Sequence, residues 1–484
     1  MRRVLALFAA LAMVATACGD DTVTETVVVT SIVTETVTET SIVTETVMGE
    51  EITFWSTETQ PARLEITQGI IDGFTAATGI EVRLVSIDEN ALPSIMVSNA
   101  AAGTLPDVVF HPVDFTIGWA AQGLLDTAAA QEAVDALGAD TFSQGALQLA
   151  SFEGSVAAVP SDGWGQLLIY RKDLFDAAGL DAPDTFAKIE AAAAELTDPD
   201  NNFYGITASN DASQVFTQQT FEHFALANGC QLVDDSGTVT LGSDNCVEAI
   251  EFYTDLLDNY APPGLNDVVS TRAAYFAGQA AMIVWSPFIL DEMAGLRDAA
   301  LPTCDECSDD IAYLAKNSGL VPSFSGPSGA PAQYGQISYM GIGNTGDDER
   351  TAAAQAFIEF WLSDGYLDWL STSVEGKFPM RRGTADNATA FLDGWQQLET
   401  GVDRSAALSE FYSEEVITTL IEGSNSFDRW GFNQGQGELV TAMYTALHVP
   451  QAIADILGGS LSAVDAAADL QTAGEDELAL LTEE

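Results

Sequence analysis

Residues able to carry catalysis or to hold a metal are sparse in this chain and poorly spaced for either task. Histidine occurs three times, as His111, His223 and His448. No Gly-x-Ser-x-Gly nucleophile elbow and no His-Glu-x-x-His metal helix appears. Paired carboxylates are abundant, but among 72 Asp and Glu their presence singles out no glycosidase pair. Asp198, Asp200 and Asn202 begin like a calcium loop. Phe203 then stands where that loop needs glycine and Ser209 where it needs its closing glutamate, so a turn is expected. Cys304-Asp305-Glu306-Cys307 has the spacing of a redox motif or of half a zinc site. The two intervening acids would raise the thiol pKa rather than lower it, and no second pair or nearby histidine completes four ligands. The expectation is therefore no catalytic residue, no metal and no cofactor.

The cysteines make better sense as structure. The chain opens Met1-Arg2-Arg3, runs apolar from Val4 to Val14 and closes with Ala15-Thr16-Ala17 before Cys18. That is a secretory signal, and it falls short of the roughly 20 apolar residues a membrane span needs. Small residues ending at a cysteine resemble the lipobox of bacterial lipoproteins. The resemblance implies that residues 1–17 are a removed signal and that Cys18 carries the lipid. The mature chain would then sit at the cell surface, on the outer face of the cytoplasmic membrane. Four cysteines remain, and in an exported chain an even remainder suggests disulfides. Cys230 and Cys246 flank a strand, an Asp-Ser-Gly turn and a second strand, where a bridge would clip a hairpin; Cys304 and Cys307 would close a small loop.

Only 16 Lys and Arg face the 72 acids, giving a formal net charge of −56, which loss of Arg2 and Arg3 would deepen. Such a surface repels nucleic acid and anionic lipid head groups. Since 47% of residues are hydrophobic, the charge sits on a folded body rather than on a disordered one. The acidity resembles that of proteins from salt-adapted organisms, in which counter-ions screen self-repulsion.

The elements that position any site begin at residue 51. Residues 22–47 repeat Thr, Val and Glu and read as a spacer, so 18–50 serve as anchor and linker. Its reach is roughly 100 Å fully extended and about 30 Å as a flexible coil. The body is too long for one core, so two lobes are expected. Ile52-Thr53-Phe54-Trp55 reads as a strand. Leu64, Ile66, Ile70, Ile71 and Phe74 mark a helix stopped by Gly79, and Ile80–Val85 reads as a second strand. A helix over 92–102 leads to a third strand at Leu105–Phe110. Alternating strand and helix means a parallel sheet, whose ligands gather beyond the strands' carboxyl ends. That places Ser56, Thr57, Glu58, His111 and Asp114 on one rim. Further strands are expected at Val156–Pro160, Leu167–Tyr170 and Ala281–Trp285. Helices are expected near 185–196, 213–228, 245–258, 348–362 and 364–374. Residues 317–335 read as loop, and the chain from 383 onward as mostly helical with a closing helix near 434–457.

Several ordered segments together resemble the extracellular solute-binding proteins of ABC importers, in the group that includes the maltose- and other sugar-binding proteins. They are Leu105-Pro106-Asp107-Val108-Val109-Phe110 with Gly123-Leu124-Leu125-Asp126, and Ala158-Val159-Pro160 with Leu168-Ile169-Tyr170-Arg171-Lys172-Asp173-Leu174-Phe175. Phe276-Ala277-Gly278-Gln279-Ala280-Ala281-Met282 and Phe378-Pro379-Met380-Arg381 follow in the same order. The resemblance implies an α/β fold of the type II periplasmic-binding-protein kind, two α/β lobes joined by hinge strands. Lobe 1 would comprise 51–160 with about 335–375, and lobe 2 would comprise 161–334 with about 376–484. It also implies a monomer that closes on a carbohydrate and docks onto the transmembrane subunits of an ABC permease. The stretch 383–428 is longer than in the shorter sugar binders.

Sugar recognition needs flat apolar faces and hydrogen-bonding groups for hydroxyls. Carried over by position, the resemblance nominates Thr57 and Glu58 after the first strand, His111 in place of an aromatic, and Asp114 as a hydroxyl acceptor. It adds Trp164 past the first crossing, Trp285 and Phe288 after the Ala-Met strand, and Trp430 before the last helix. Trp55 and Trp119, inside a strand and a helix, are expected in the core. An anionic ligand such as glycerol phosphate would need cations, for which Lys377, Arg381 and Arg382 are the candidates. The rival classes are a secreted glycoside hydrolase, for which no motif speaks, and a cell-surface structural protein, which would repeat beyond residue 47.

Overall fold

The computed structural model describes residues 51–423 and 427–482; Cys18, the 1–17 signal and the whole 18–50 linker lie outside them. Two sheets are built from β1 (Ile52–Ser56), β2 (Val82–Ser86), β3 (Val108–Pro112), β4 (Val159–Gly165), β5 (Leu167–Arg171), β6 (Met282–Trp285), β7 (Ser318–Val321), β8 (Gly335–Ile342) and β9 (Phe378–Pro379). The first sheet has the order β9-β4-β8-β3-β1-β2 and the second β6-β5-β7. β1 runs parallel to both β2 and β3, pairing Phe54 with Leu84 and Val108. β8, β4 and β9 extend the first sheet in antiparallel fashion.

Local sequence explains the parallel half. α1 (Pro61–Thr78) joins β1 to β2, with Pro61 in its first turn, where a missing N–H costs nothing. Its buried stripe is Arg63, Thr67, Ile70, Ile71 and Phe74, and Gly79 ends it in the left-handed conformation. α2 (Leu92–Ala102) joins β2 to β3, and α3 (Val113–Ala121) follows β3 directly. Phe54 meets the rings of Phe357 and Trp361 edge-on at 5.3 and 5.1 Å, tying β1 to the helix Asp348–Trp361. Trp55 and Trp119 are buried.

The chain changes sheets abruptly. Gln166 alone separates β4 from β5, and consecutive strands therefore enter different sheets. β4 continues in the first sheet to Gly165, and β9 at 378–379 also pairs there. Around the second sheet lie α4 (Val215–Ala227), α5 (Asp244–Tyr260), α6 (Val268–Phe276) and the short α7 (Leu290–Met293).

Three expectations need correction. The Ser-, Gly- and Pro-rich stretch 317–335 contains β7, because Ser318–Val321 is paired along β5 from Leu168 to Arg171. The chain beyond 383 is mostly helical only after 436: within 383–428 Ala390–Trp395 and Glu414–Gly423 are the α-helices among the described residues, with a 3₁₀ turn between them. The closing segment is three helices rather than one: α8 (Gly437–Ala446), α9 (His448–Leu457) and α10 (Ala463–Thr482). Leu447, at φ 55°, breaks the run between the first two. α8 packs closely on α3, since a Cβ on Gly118 would lie 2.4 Å from Thr441 Cγ2.

Cys230 is bonded to Cys246 and Cys304 to Cys307. Between the first pair the expected hairpin is reduced to a single bridge, Val233 to Val239. Asp198 pairs with Phe203 across a tight turn. Among the described residues no group of three or more His, Cys, Asp or Glu is placed to hold a metal, and no helix is long and apolar enough to cross a membrane.

Candidate ligand-binding site

The carboxyl ends of β1, β2 and β3 open onto a cavity of about 330 Å³. This is where parallel sheets hold ligands, and the size is that of a small-molecule site. One side is made by Thr57–Gln60 and Arg63 after β1, Glu89 and Asn90 after β2, Asp162 and Trp164 of β4, Gln336 and Ser338 of β8, and Lys377. The other is made by Phe216 and Gln219 of α4, Arg272 of α6, Trp285 and Phe288 after β6, Glu292 of α7, and Arg297.

Four of the chain's few cations therefore line one cavity, and each has a carboxylate partner. Lys377 Nζ donates to Glu58 Oε1 at 2.6 Å and lies 3.3 Å from the centre of the Trp369 ring. Arg63 reaches Glu58 Oε2 at 3.4 Å and donates to Ser373 Oγ at 2.5 Å. Burial works against the Glu58 anion, but Lys377 and then Arg63 outweigh it and hold the carboxyl down at about 2. Arg272 donates to Glu292 Oε1 at 2.8 Å, and Arg297 donates to the same oxygen.

Three acids of the cavity are tuned the other way, Glu292 among them through burial. Burial pushes the Asp162 carboxyl up, although Lys377 lies close and both Trp369 Nε1 (2.8 Å) and Ser161 Oγ (2.7 Å) donate to its Oδ2. Lost solvation within the cleft, followed by Asp114, Asp88 and Glu58, pushes Glu89 up, although its surface is still open to solvent.

The aromatic faces available to a ligand are the half-buried Trp164, Phe216 and Phe288. Phe288 meets Trp164 edge-on at 6.4 Å and lies against Gly376, where an added Cβ would fall 2.4 Å from its ring. Trp285 lines the cavity but is only 5% exposed, because Phe216 covers it edge-on at 4.8 Å.

The structure thus brings Thr57, Glu58, Trp164, Trp285 and Phe288 together. It places His111, Asp114 and Trp430 outside the cavity lining, all of them buried. His111 packs on Trp119 and Tyr339, and burial lowers its pKa to about 4. Asp114 is ion-paired with Arg429 and accepts from Gln336 Nε2 at 2.6 Å. Trp430 donates through Nε1 to the Cys230 carbonyl at 2.9 Å. Of the cations expected for an anion, Lys377 lines the cavity while Arg381 and Arg382 do not. Arg381 is instead occupied by the carbonyls of Leu137 and Leu362 at 2.8 and 2.6 Å.

Sequence reasoning missed Arg63, Arg272, Arg297, Glu292, Asp162 and Phe216. Arg63 offered one signal, since a cation in the first turn of a helix opposes the helix dipole and needs a local reason to be there.

Comparison with known proteins agrees with this architecture. Residues 58–367 match the family model described as bacterial extracellular solute-binding protein. The Escherichia coli K12 protein YcjN, provisionally named as an ABC transporter periplasmic-binding protein, is 27% identical over 390 residues, covering 80% of this chain and 85% of that protein. Among solved structures, maltose-bound MalE3 of T. maritima superposes with a TM-score of 0.67 at 20% identity, covering 88% of this chain and 99% of the other. UgpB of Mycobacterium tuberculosis with glycerophosphocholine gives a TM-score of 0.67 at 17% identity, covering 88% and 98%. These likenesses place the chain among type II periplasmic-binding-protein folds and separate it from enzymes; two neighbours of equal TM-score carry different ligands, so the fold does not choose the solute.

Proposed function

Because the chain belongs to the bacterial extracellular solute-binding protein family, we propose that its cavity captures a sugar or polyol and presents it to the membrane subunits of an ABC importer. The observation that carries this reading is the cavity wall itself. Half-buried Trp164, Phe216 and Phe288 stand among ion pairs that hold charged donors and acceptors in fixed positions. Hydroxyl groups both donate and accept, and sugar C–H faces stack on rings, so a polyhydroxylated solute suits such a wall. A second reading, glycerol phosphate or another small polar solute, draws on the same cavity, since Arg63, Arg272 and Arg297 add to Lys377.

On this reading lobe 1 is 51–160 with about 335–375, to which the first sheet adds the end of β4 and β9, and the remainder of the body forms lobe 2. The crossing at Gln166, between β4 and β5, is where the lobes would turn as they close. Cys18 would carry the lipid, and the Thr/Val/Glu spacer would let a monomeric acidic body sample the outside fluid near its transporter. Its charge suits a high-salt surrounding.

A thermal-shift screen of sugars, polyols and glycerol phosphodiesters tests the ligand class. A solute binding only the folded state at about 100 times its Kd adds about 2.7 kcal/mol, so the melting temperature should rise. Small-angle scattering with that solute should show compaction. If no member of the three classes shifts the melting temperature, the ligand class is wrong.

A further inference from the structure

The cavity's ion pairs are not equivalent. Around Glu58, two cations meet two acids, because Glu375 also faces Arg63. Around Glu292 the arrangement differs. Arg272 and Arg297 both donate to its Oε1, while Oε2 is buried with no partner. An arginine paired with a carboxylate frequently forms two parallel bonds, one to each oxygen. Here one oxygen holds two guanidinium groups side by side, and both arginines line the cavity with 16–19% of their side-chain surface open. Asp291 and Glu375 are further carboxylates facing this group; Asp291 is 1% exposed, and burial with the neighbouring Glu375 and Glu292 drives its carboxyl well up. Two guanidinium groups thus share a single carboxylate oxygen at this end, in a chain whose net charge is −56.

We infer that the solute carries a single anionic group, a carboxylate or a phosphate, seated on the Arg272–Arg297 pair, with its hydroxyls toward Glu58, Glu89 and Asp162 and its apolar face on Trp164. This rests on the sugar-or-polyol reading above and narrows it to sugar acids or polyol phosphates. Glu292 is then a positioning residue: it spaces the two guanidinium groups and does not touch the ligand. Guanidinium groups recognise planar carboxylate and phosphate oxygens through paired N–H donors, which a neutral hydroxyl cannot match.

Isothermal titration of the purified chain against matched pairs tests this: glucose with glucuronate, and mannitol with mannitol 1-phosphate. The anionic member of at least one pair should bind about tenfold or more tightly than its neutral partner, as charge-assisted bonds are about twice as strong as neutral ones. Which pair shows the preference separates carboxylate from phosphate. Arg272→Gln and Arg297→Gln should each shrink that ratio, with circular dichroism checking that they fold. A neutral member binding as well as or better than its anionic partner in both pairs overturns the inference and leaves the sugar-or-polyol reading intact. If none of the four binds, the thermal-shift screen decides: a neutral solute as its hit overturns the inference, and no hit at all overturns both.

Discussion

Two three-member ion clusters of opposite charge balance do different work. Glu58, Lys377 and Arg63 join at the cavity, one acid holding two cations. Asp114, Arg429 and Glu222 join in the interior, one cation holding two acids. Arg429 Nε lies 3.0 Å from Glu222 Oε1, its Nη1 donates to Gln336 Oε1 at 3.0 Å, and Tyr444 donates to Glu222 Oε2 at 2.5 Å. Asp114 and Glu222 are wholly buried, and they belong to α3 and α4. The interior cluster knits together helices from the surroundings of both sheets, while the first borders the cavity, where a ligand can reach its neighbours. What separates scaffold from site is access, not residue type.

The sharpest way to break the contrast is Arg429→Met. It strands two buried carboxylates, and losing one partner of a buried ion pair costs about 3–5 kcal/mol, so urea denaturation should show a loss of that size. A stability close to the parent's would mean the interior cluster is not the scaffold described. Next comes Glu58→Gln. The Glu58 carboxyl is lowered from 4.5 to about 2, so its stabilisation is complete above about pH 4.5 and lost as pH falls toward 2. The parent should exceed the variant by up to about 3 kcal/mol at neutral pH, and the gap should close across that window. A gap that stays constant with pH would contradict the pairing.

Trp164→Ala should weaken ligand binding by about tenfold or more, typical of truncating an aromatic anchor, with the melting temperature little changed because the ring is half-exposed. The smallest effect on binding belongs to His111→Phe, with affinity unchanged within about twofold, since His111 is buried beside Trp119. Its signature lies in stability. The depressed His111 pKa, from 6.5 to about 4, lets the unfolded chain take the proton first, so the parent loses stability as pH falls through that window. The phenylalanine variant should lose less there; an equal loss would remove His111 as a cause.

Much of this arrangement was legible in the residues. The alternation of apolar pentads with amphipathic helices gave β1, β2 and β3 as parallel strands, and the rim rule put Thr57 and Glu58 at the cavity. The same rule failed for His111 and Asp114, because both lie at the β3–α3 junction but turn inward: His111 sits at 0% exposure, and Asp114 is drawn to Arg429, 315 residues away. No local pattern announces so distant a partner. Arg272 and Glu292 escaped because their meeting depends on how α6 and α7 pack, and Arg297, five residues after Glu292, stands at a spacing that marks no helical pair. Trp430 showed the limit of reading aromatics by position, as its ring is fixed by a backbone carbonyl at Cys230.

A crystal structure with a sugar or polyol selected by the thermal-shift screen tests the central claim most directly. The solute should lie in the cavity after β1, with an apolar face on Trp164, hydroxyls bonded to groups of the Glu58–Lys377 pair and any anionic group on the Arg272–Arg297 pair. A solute bound elsewhere on the body, or one in the cavity that leaves Trp164 and both pairs untouched, would contradict it.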